Sequence, residues 1–179
     1  GPAQVGGVTT FIQILVSSRI VGERYALVHL DTTRAPKQSA SAGQFSAHNL
    51  LLFLDQTWRI LVATITMRPA LMHLAVTSGW SFWKAGAFLL IGRALGVKTV
   101  AHLHGGGFRE FFHRMRRPTR RLVGLMLGQA SVIIALSGEW RRFLEEEIRS
   151  DLPVVVLPNT VDARFAAETE REDYPSRQD

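Results

Sequence analysis

Short, almost uninterrupted apolar runs alternate along this chain with longer segments of helical periodicity, and that alternation leaves few folds open. The runs are Arg24–Leu30 (Arg-Tyr-Ala-Leu-Val-His-Leu), Ala70–Val76, Val97–Leu103, Ser131–Leu136 and Pro153–Leu157. A strand apolar at nearly every position is buried on both faces, which is the condition of a parallel sheet covered by helices on each side. Right-handed crossovers are then expected between successive strands, and ligands are expected beyond their carboxyl ends. Residues that carry chemistry should therefore stand just after each strand.

The intervening helices are expected at residues 8–21, from Ser46 as a cap to Arg68-Pro69, at Phe82–Leu95, at Arg114–Leu127 and at Gly138–Arg149 behind a capping Ser137. In the second of these, Leu51, Leu54, Trp58, Leu61, Val62 and Ile65 recur at three- and four-residue steps, which predicts one buried face. Residues 32–44 are polar and form a surface loop. After Asp162 the composition turns to Glu, Arg, Asp, Ser and Gln, so a domain over residues 1–162 followed by a linker or disordered tail over 163–179 is expected.

With 46% apolar residues in 179, the chain has enough material for one sizeable core. There is no cysteine, which excludes disulfides and thiolate metal sites. The formal charge of +6 favours anionic partners without choosing among them. No stretch is expected to span a bilayer as a helix: the run from Leu50 meets Asp55 and Arg59, and the run from Ala85 meets Arg93. The first residues lack the basic start and apolar stretch of a secretory signal. The chain begins without methionine, and sequence upstream of Gly1 is expected.

Four segments stand where chemistry is expected. Gly1-Pro2-Ala3-Gln4-Val5-Gly6-Gly7 opens a helix; its paired glycines suit either a phosphate at a helix N-terminus or a plain turn, and the dinucleotide spacing Gly-x-Gly-x-x-Gly is missing. Ala101-His102-Leu103-His104-Gly105-Gly106-Gly107-Phe108 ends the third apolar run, and strand alternation puts His102 and His104 on one side. His104 can serve there as hydrogen-bond donor or general acid–base. The two can equally be satisfied core histidines, and no third ligand is spaced for a metal.

Thr77-Ser78-Gly79-Trp80-Ser81-Phe82-Trp83-Lys84 follows the second run; its small residues and tryptophans suit a sugar or lipid acceptor, although Phe82 and Trp83 read better as core behind a Ser81 cap. Finally, Arg109, Arg114, Arg116, Arg117, Arg120 and Arg121 lie among Phe108, Phe111, Phe112 and Met115. They form either a solvated face or a dock for an anionic membrane surface. No nucleic-acid partner is expected, since no recognised binding module surrounds them. Glu139 and Glu147 have the eight-residue spacing of a donor-binding glutamate pair, but among Arg141, Arg142, Glu145 and Glu146 they read as surface ion pairs.

In order and spacing these segments resemble glycosyltransferase family 4 enzymes of the GT-B fold, from Gly1 to Asp162. The likeness is carried by Gly1-Pro2 through Gly6-Gly7, by Arg68-Pro69-Ala70-Leu71-Met72-His73-Leu74 leading to Ser78, Phe82, Trp83 and Lys84, and by Gly96-Val97-Lys98-Thr99-Val100-Ala101-His102-Leu103-His104-Gly105. Ile133-Ile134-Ala135-Leu136-Ser137 and Val156-Leu157-Pro158-Asn159-Thr160-Val161-Asp162 complete it.

The resemblance implies an α/β fold, the Rossmann-like N-terminal half of a GT-B architecture. Gly6 and Gly7 would face the donor diphosphate, with His104 near the transferring sugar. Ser78, Gly79, Trp80, Gly105, Phe108 and Arg109 would face the acceptor, and Asn159 to Asp162 would lead into an interdomain hinge. It further implies a nucleotide-sugar donor, a glycan or lipid-linked acceptor, retained anomeric configuration, and neither cofactor nor metal. A cytoplasmic place, peripheral at the inner face of a membrane, goes with the reading of Arg114, Arg116, Arg117, Arg120 and Arg121 as a membrane contact. The family's first strand, expected between Arg24–Leu30 and Val97–Leu103, and its second domain are missing from the likeness. Exposed backbone where that strand should pair, and weak or no transfer by this chain alone, are therefore expected. A non-catalytic nucleotide- or partner-binding module is the competing reading.

Overall fold

The computed structural model describes residues 7–32 and 47–158. The chain divides into two units, the second being Leu30–Leu157. In the first unit, α1 (Gly7–Ser17) is followed by α2 (Arg19–Arg24), capped by the Ser18 hydroxyl accepting from Val21 N. The second unit runs α3 (Ala47–Met67), β1 (Leu71–Val76), α4 (Trp80–Ala94), β2 (Lys98–Leu103), α5 (Phe108–His113), α6 (Arg117–Leu127), β3 (Val132–Ala135), α7 (Gly138–Phe143) with a π-helical turn Leu144–Ile148, and β4 (Val154–Val156).

The four strands form one parallel sheet in the order β1-β2-β3-β4. This is the expected α/β, Rossmann-like arrangement. Alternation turns Thr99, Ala101 and Leu103 to the face that carries α4, and the core gathers Ala101, Leu103, Phe82, Leu89, Val123, Leu127, Ile133 and Phe143. Two glycines set the closeness of α4. A methyl group at Gly92 would run into Thr99 Cγ2, and one at Gly86 would lie 2.7 Å from Met126 Sδ.

Four expectations are corrected by the structure. Residues 25–30 form no strand; α2 takes Arg24, and Tyr25, Leu27, Val28 and Leu30 are exposed. The place expected for the family's first strand, beside β2, is taken: β1 and β3 occupy both of its edges, and a strand has only two. Among the described residues the strand edges without a strand partner are the outer edges of β1 and β4.

The face that α3 buries is also the reverse of the one predicted. Gln56, Ile60 and Thr64 are buried, while Leu51, Leu54, Trp58, Val62 and Ile65 are exposed, Trp58 at 64%. The inward polar groups are satisfied where they stand. Thr64 Oγ1 donates to Ile60 O at 2.7 Å, and Gln56 Nε2 donates to Thr32 O at 3.1 Å while its Oε1 accepts from Lys84 Nζ at 3.3 Å. Because the charges within Leu50–Met67 are only Asp55 and Arg59, this 18-residue stretch does reach the length and apolarity of a membrane-crossing helix. The expectation that no segment does is corrected on that criterion. Arg68, in the left-handed region at φ 47°, ends α3 ahead of Pro69, as expected of that pair.

Candidate functional site

Three strand ends meet at one rim. Beyond β1, Gly79 takes φ 68° and hands the chain directly to α4, so Ser81 lies inside the helix rather than capping it. Beyond β2, the His104 amide donates to Val76 O at 2.7 Å, extending the β1–β2 ladder by one step and fixing the His104 backbone. Gly105 then takes φ 97°, a conformation that a side chain would strain. A Cβ on Gly107 would lie 3.8 Å from Ser78 Oγ, so the Ser78–Gly79 and Gly105–Gly107 loops are neighbours. Beyond β3, the Ser137 hydroxyl caps α7 by accepting from Trp140 N at 3.3 Å, as expected.

Arg109 ties the second strand end to the third. Its Nη1 donates to Glu139 Oε1 at 3.2 Å, and its guanidinium lies 4.9 Å from the Phe143 ring centre and 5.7 Å from that of Trp140.

Behind the rim stand three histidines. The His102 and His104 ring centres are 3.9 Å apart at an interplanar angle of 35°, and His73 on β1 lies 5.5 Å from His102 at 36°. The register explains the grouping: His73 is opposite Val100, two residues before His102 and on the same face. His102 and His104 are only 1% and 3% exposed. Burial disfavours charge, so all three imidazoles lie below their ordinary range. The largest effect is at His102, lowered to about 3 by desolvation and then by its two histidine neighbours. At neutral pH the group is uncharged. Among the described residues no cluster of three or more His, Asp or Glu is arranged to hold a metal ion.

The sequence-predicted residues separate accordingly. Ser78, Gly79, His104, Gly105 and Arg109 lie on the rim. Trp80 is half-buried, edge-on to Phe53 of α3 at 5.6 Å. Phe108, expected to face the acceptor, is 0% exposed, and its ring packs on Phe82 and Phe111 beneath the loop. Phe82 is core, as read. Gly7 is the exposed first residue of α1 in the other unit, while Gly6, Asn159, Asp162 and the Ser46 cap lie outside the described residues, as does the tail from residue 163.

The basic cluster also divides. Arg120 Nε donates to Phe112 O at 3.1 Å and to Met115 O at 3.0 Å, and its Nη2 donates to His113 O. It is half-buried and closes the carboxyl end of α5. Arg114, Arg116, Arg117 and Arg121 are exposed. Arg117, Arg120 and Arg121 line a shallow cavity of about 200 Å³ with Phe112, Glu147 and Ile148. Glu139 forms a surface ion pair with Arg109, and Glu147 Oε2 meets His113 Nε2 at 2.6 Å. His73 and Trp140 were missed as parts of the site. Parity along β1 and β2 was the available signal for His73, once their register is known.

Residues 27–165 match the family model for Glycosyltransferase Family 4. No curated protein matches the chain, and no solved structure does.

Proposed function

The chain belongs to glycosyltransferase family 4, and on that premise we propose that it transfers a sugar from a nucleotide-sugar donor to a glycan or lipid-linked acceptor with retention, in polysaccharide or glycolipid synthesis. The observation that supports this most is the convergence of the β1, β2 and β3 loops on one rim, with the His104 backbone held by Val76. Kept neutral by burial, His104 offers the transferring sugar a hydrogen bond without adding charge. Gly105–Gly107 present bare backbone, and Ser78, Gly79 and Trp80 flank the acceptor. Gly6 and Gly7 face the donor diphosphate through the start of α1, and Asn159 to Asp162 form a hinge. Retention needs no cofactor or metal in this reading. Stabilisation of the leaving diphosphate is the costly element, and the rim cation Arg109 is already engaged by Glu139, Trp140 and Phe143. Transfer by these 179 residues alone is therefore weak.

The test is a donor hydrolysis and transfer screen on the full chain that carries this domain. His104→Ala should lower kcat by about a hundredfold, the scale of one lost hydrogen-bonding or acid–base group. An unchanged rate removes His104 from the site.

One observation favours the second reading, a nucleotide- or partner-binding module: the His104 ring is nearly covered. Nucleotide-sugar binding without turnover in the same screen would select it.

Attachment at the inner face of a membrane is part of the proposal. Arg117, Arg121 and Leu125 follow at four-residue steps, and Leu122 and Leu125 are exposed beside them. Co-sedimentation with anionic vesicles should fall on neutralising Arg114, Arg116, Arg117 and Arg121 together. Retention of full binding would sink the assignment.

A further inference from the structure

The two helices that flank β3 distribute charge in opposite ways. α7 has Glu139 in its first turn and Arg141 and Arg142 in its last, the arrangement that a helix dipole favours. α6 follows Arg116 at its capping position and carries Arg117, Arg120 and Arg121 at its start, with no acid in the first turn and no base in the last. Arg117 and Arg121 are also four residues apart, a like-charge pair that weakens a helix. Among the described residues no carboxylate forms an ion pair with any of these four arginines. A bound anion would offset each of these costs. We infer that the cavity at the start of α6 is a binding site for a phosphate ester, sharing no residue with the rim.

Three observations carry it. The cations line a concavity rather than a plain face: Arg117, Arg120 and Arg121, at three- and four-residue steps, surround it with Phe112, Glu147 and Ile148. Its volume of about 200 Å³ is below the roughly 300 Å³ at which pockets for drug-sized ligands begin, which suits a phosphate head rather than a nucleotide sugar. Secondly, one cation is fixed in advance. Arg120 Nε donates to Phe112 O and Met115 O, and its guanidinium lies 5.3 Å from the Phe112 ring centre. Its Nη1 has no partner among the described residues. Thirdly, the acid in the lining is engaged elsewhere, since Glu147 Oε2 meets His113 Nε2 at 2.6 Å. A Cβ on Gly124 would lie 3.6 Å from Ile148 Cγ2, so the π-helical turn that carries Glu147 is set against α6. Two exposed arginines thus stand beside one that is held, and the oxygens of a phosphate can accept from all three.

The inference narrows the proposed membrane contact of this basic face to one chemical group, and the phosphate can belong to a lipid headgroup or to a soluble ester. The experiment uses the full chain and two charge-matched variants. Arg117→Gln with Arg121→Gln removes two cations from the cavity, and Arg114→Gln with Arg116→Gln removes two that do not line it. The soluble probe is glycerol 3-phosphate, followed through the arginine Nε–H resonances. The lipid probe is a phosphatidylcholine vesicle carrying phosphatidic acid, a phosphomonoester, against one of equal surface charge carrying phosphatidylserine, a diester.

Glycerol 3-phosphate should bind saturably to the native chain. The cavity variant should weaken it by about tenfold or more, the scale of one lost charge-assisted hydrogen bond, and the other variant by less than about threefold. A preference for phosphatidic acid that only the cavity variant loses assigns the site to lipid headgroups. Saturable glycerol 3-phosphate binding without such a preference assigns it to a soluble ester and leaves membrane attachment to diffuse charge. Equal losses in the two variants overturn the inference and spare the membrane reading. Binding of neither probe overturns both.

Discussion

Helices α3 and α4 are comparably apolar and stand next to each other in sequence, yet they treat their apolar residues in opposite ways. α4 buries Phe82, Ala85, Phe88 and Leu89, and reaches the sheet through Gly92 and α6 through Gly86. α3 turns Gln56, Ile60 and Thr64 inward and leaves Leu51, Leu54, Trp58 and Ile65 exposed. The difference teaches that periodicity finds a stripe but does not say which side has a neighbour. Small residues and self-satisfied polar groups decide how close a helix can come, and in α3 those lie on the polar side.

The sharpest way to test that contrast is Phe82→Ala, which should remove about 3–5 kcal/mol of stability by urea titration, the cost of an emptied aromatic site. Ile60→Ala should cost less, toward the low end of about 2–5 kcal/mol, since its surroundings can partly collapse. Acid separates the two regions in another way. The polar groups buried by α3 do not ionise, but the sheet buries three histidines whose folded pKa values lie below the ordinary 6.5. Above that value both states are neutral and nothing is gained or lost. As pH falls below it, the unfolded chain takes up protons that the folded chain refuses. Stability should then drop by about 1.4 kcal/mol per pH unit for each histidine still neutral in the fold, continuing toward pH 3 for His102. A flat profile between pH 6.5 and 5 would place the histidines in water.

Gly92→Ala should destabilise by about 1–2 kcal/mol after alanine's helical preference is counted, and Thr99→Ser, which removes the obstructing methyl, should restore most of it. Least of all, Trp58→Ser should stay within about 0.5 kcal/mol. A loss above 2 kcal/mol there would mean that the apolar face of α3 is covered in solution, and the contrast would fail.

Much of the framework was legible because β1, β3 and β4 are apolar at almost every position and β2 carries an apolar stretch between helical segments, a pattern few other structures share. Their observed bounds fall within one or two residues of the runs expected. Residues 25–30 show the limit of that signal: the run forms no strand although the sheet has edges without a strand partner, because a strand needs a pairing partner as well as apolar side chains, and sequence does not state the pairing. The rim was legible for the same reason the sheet was, since loops follow strands. Which rim residues touch solvent was not. Phe108 vanishes into the core because residues 108–113 coil into an unforeseen helix whose i and i+4 positions, Phe108 and Phe112, both face inward. His73 stayed invisible as part of the site because its contact with His102 depends on the β1–β2 register, a non-local quantity.

Arg120 carries a practical consequence for anyone probing lipid attachment. Its guanidinium stitches the outgoing end of one short helix to the next, and the other end of that short helix bears Arg109. Neutralising all five arginines at once would loosen this joint, and a drop in vesicle binding would then report a slackened scaffold as readily as a missing charge. Only a set that spares position 120 isolates electrostatics.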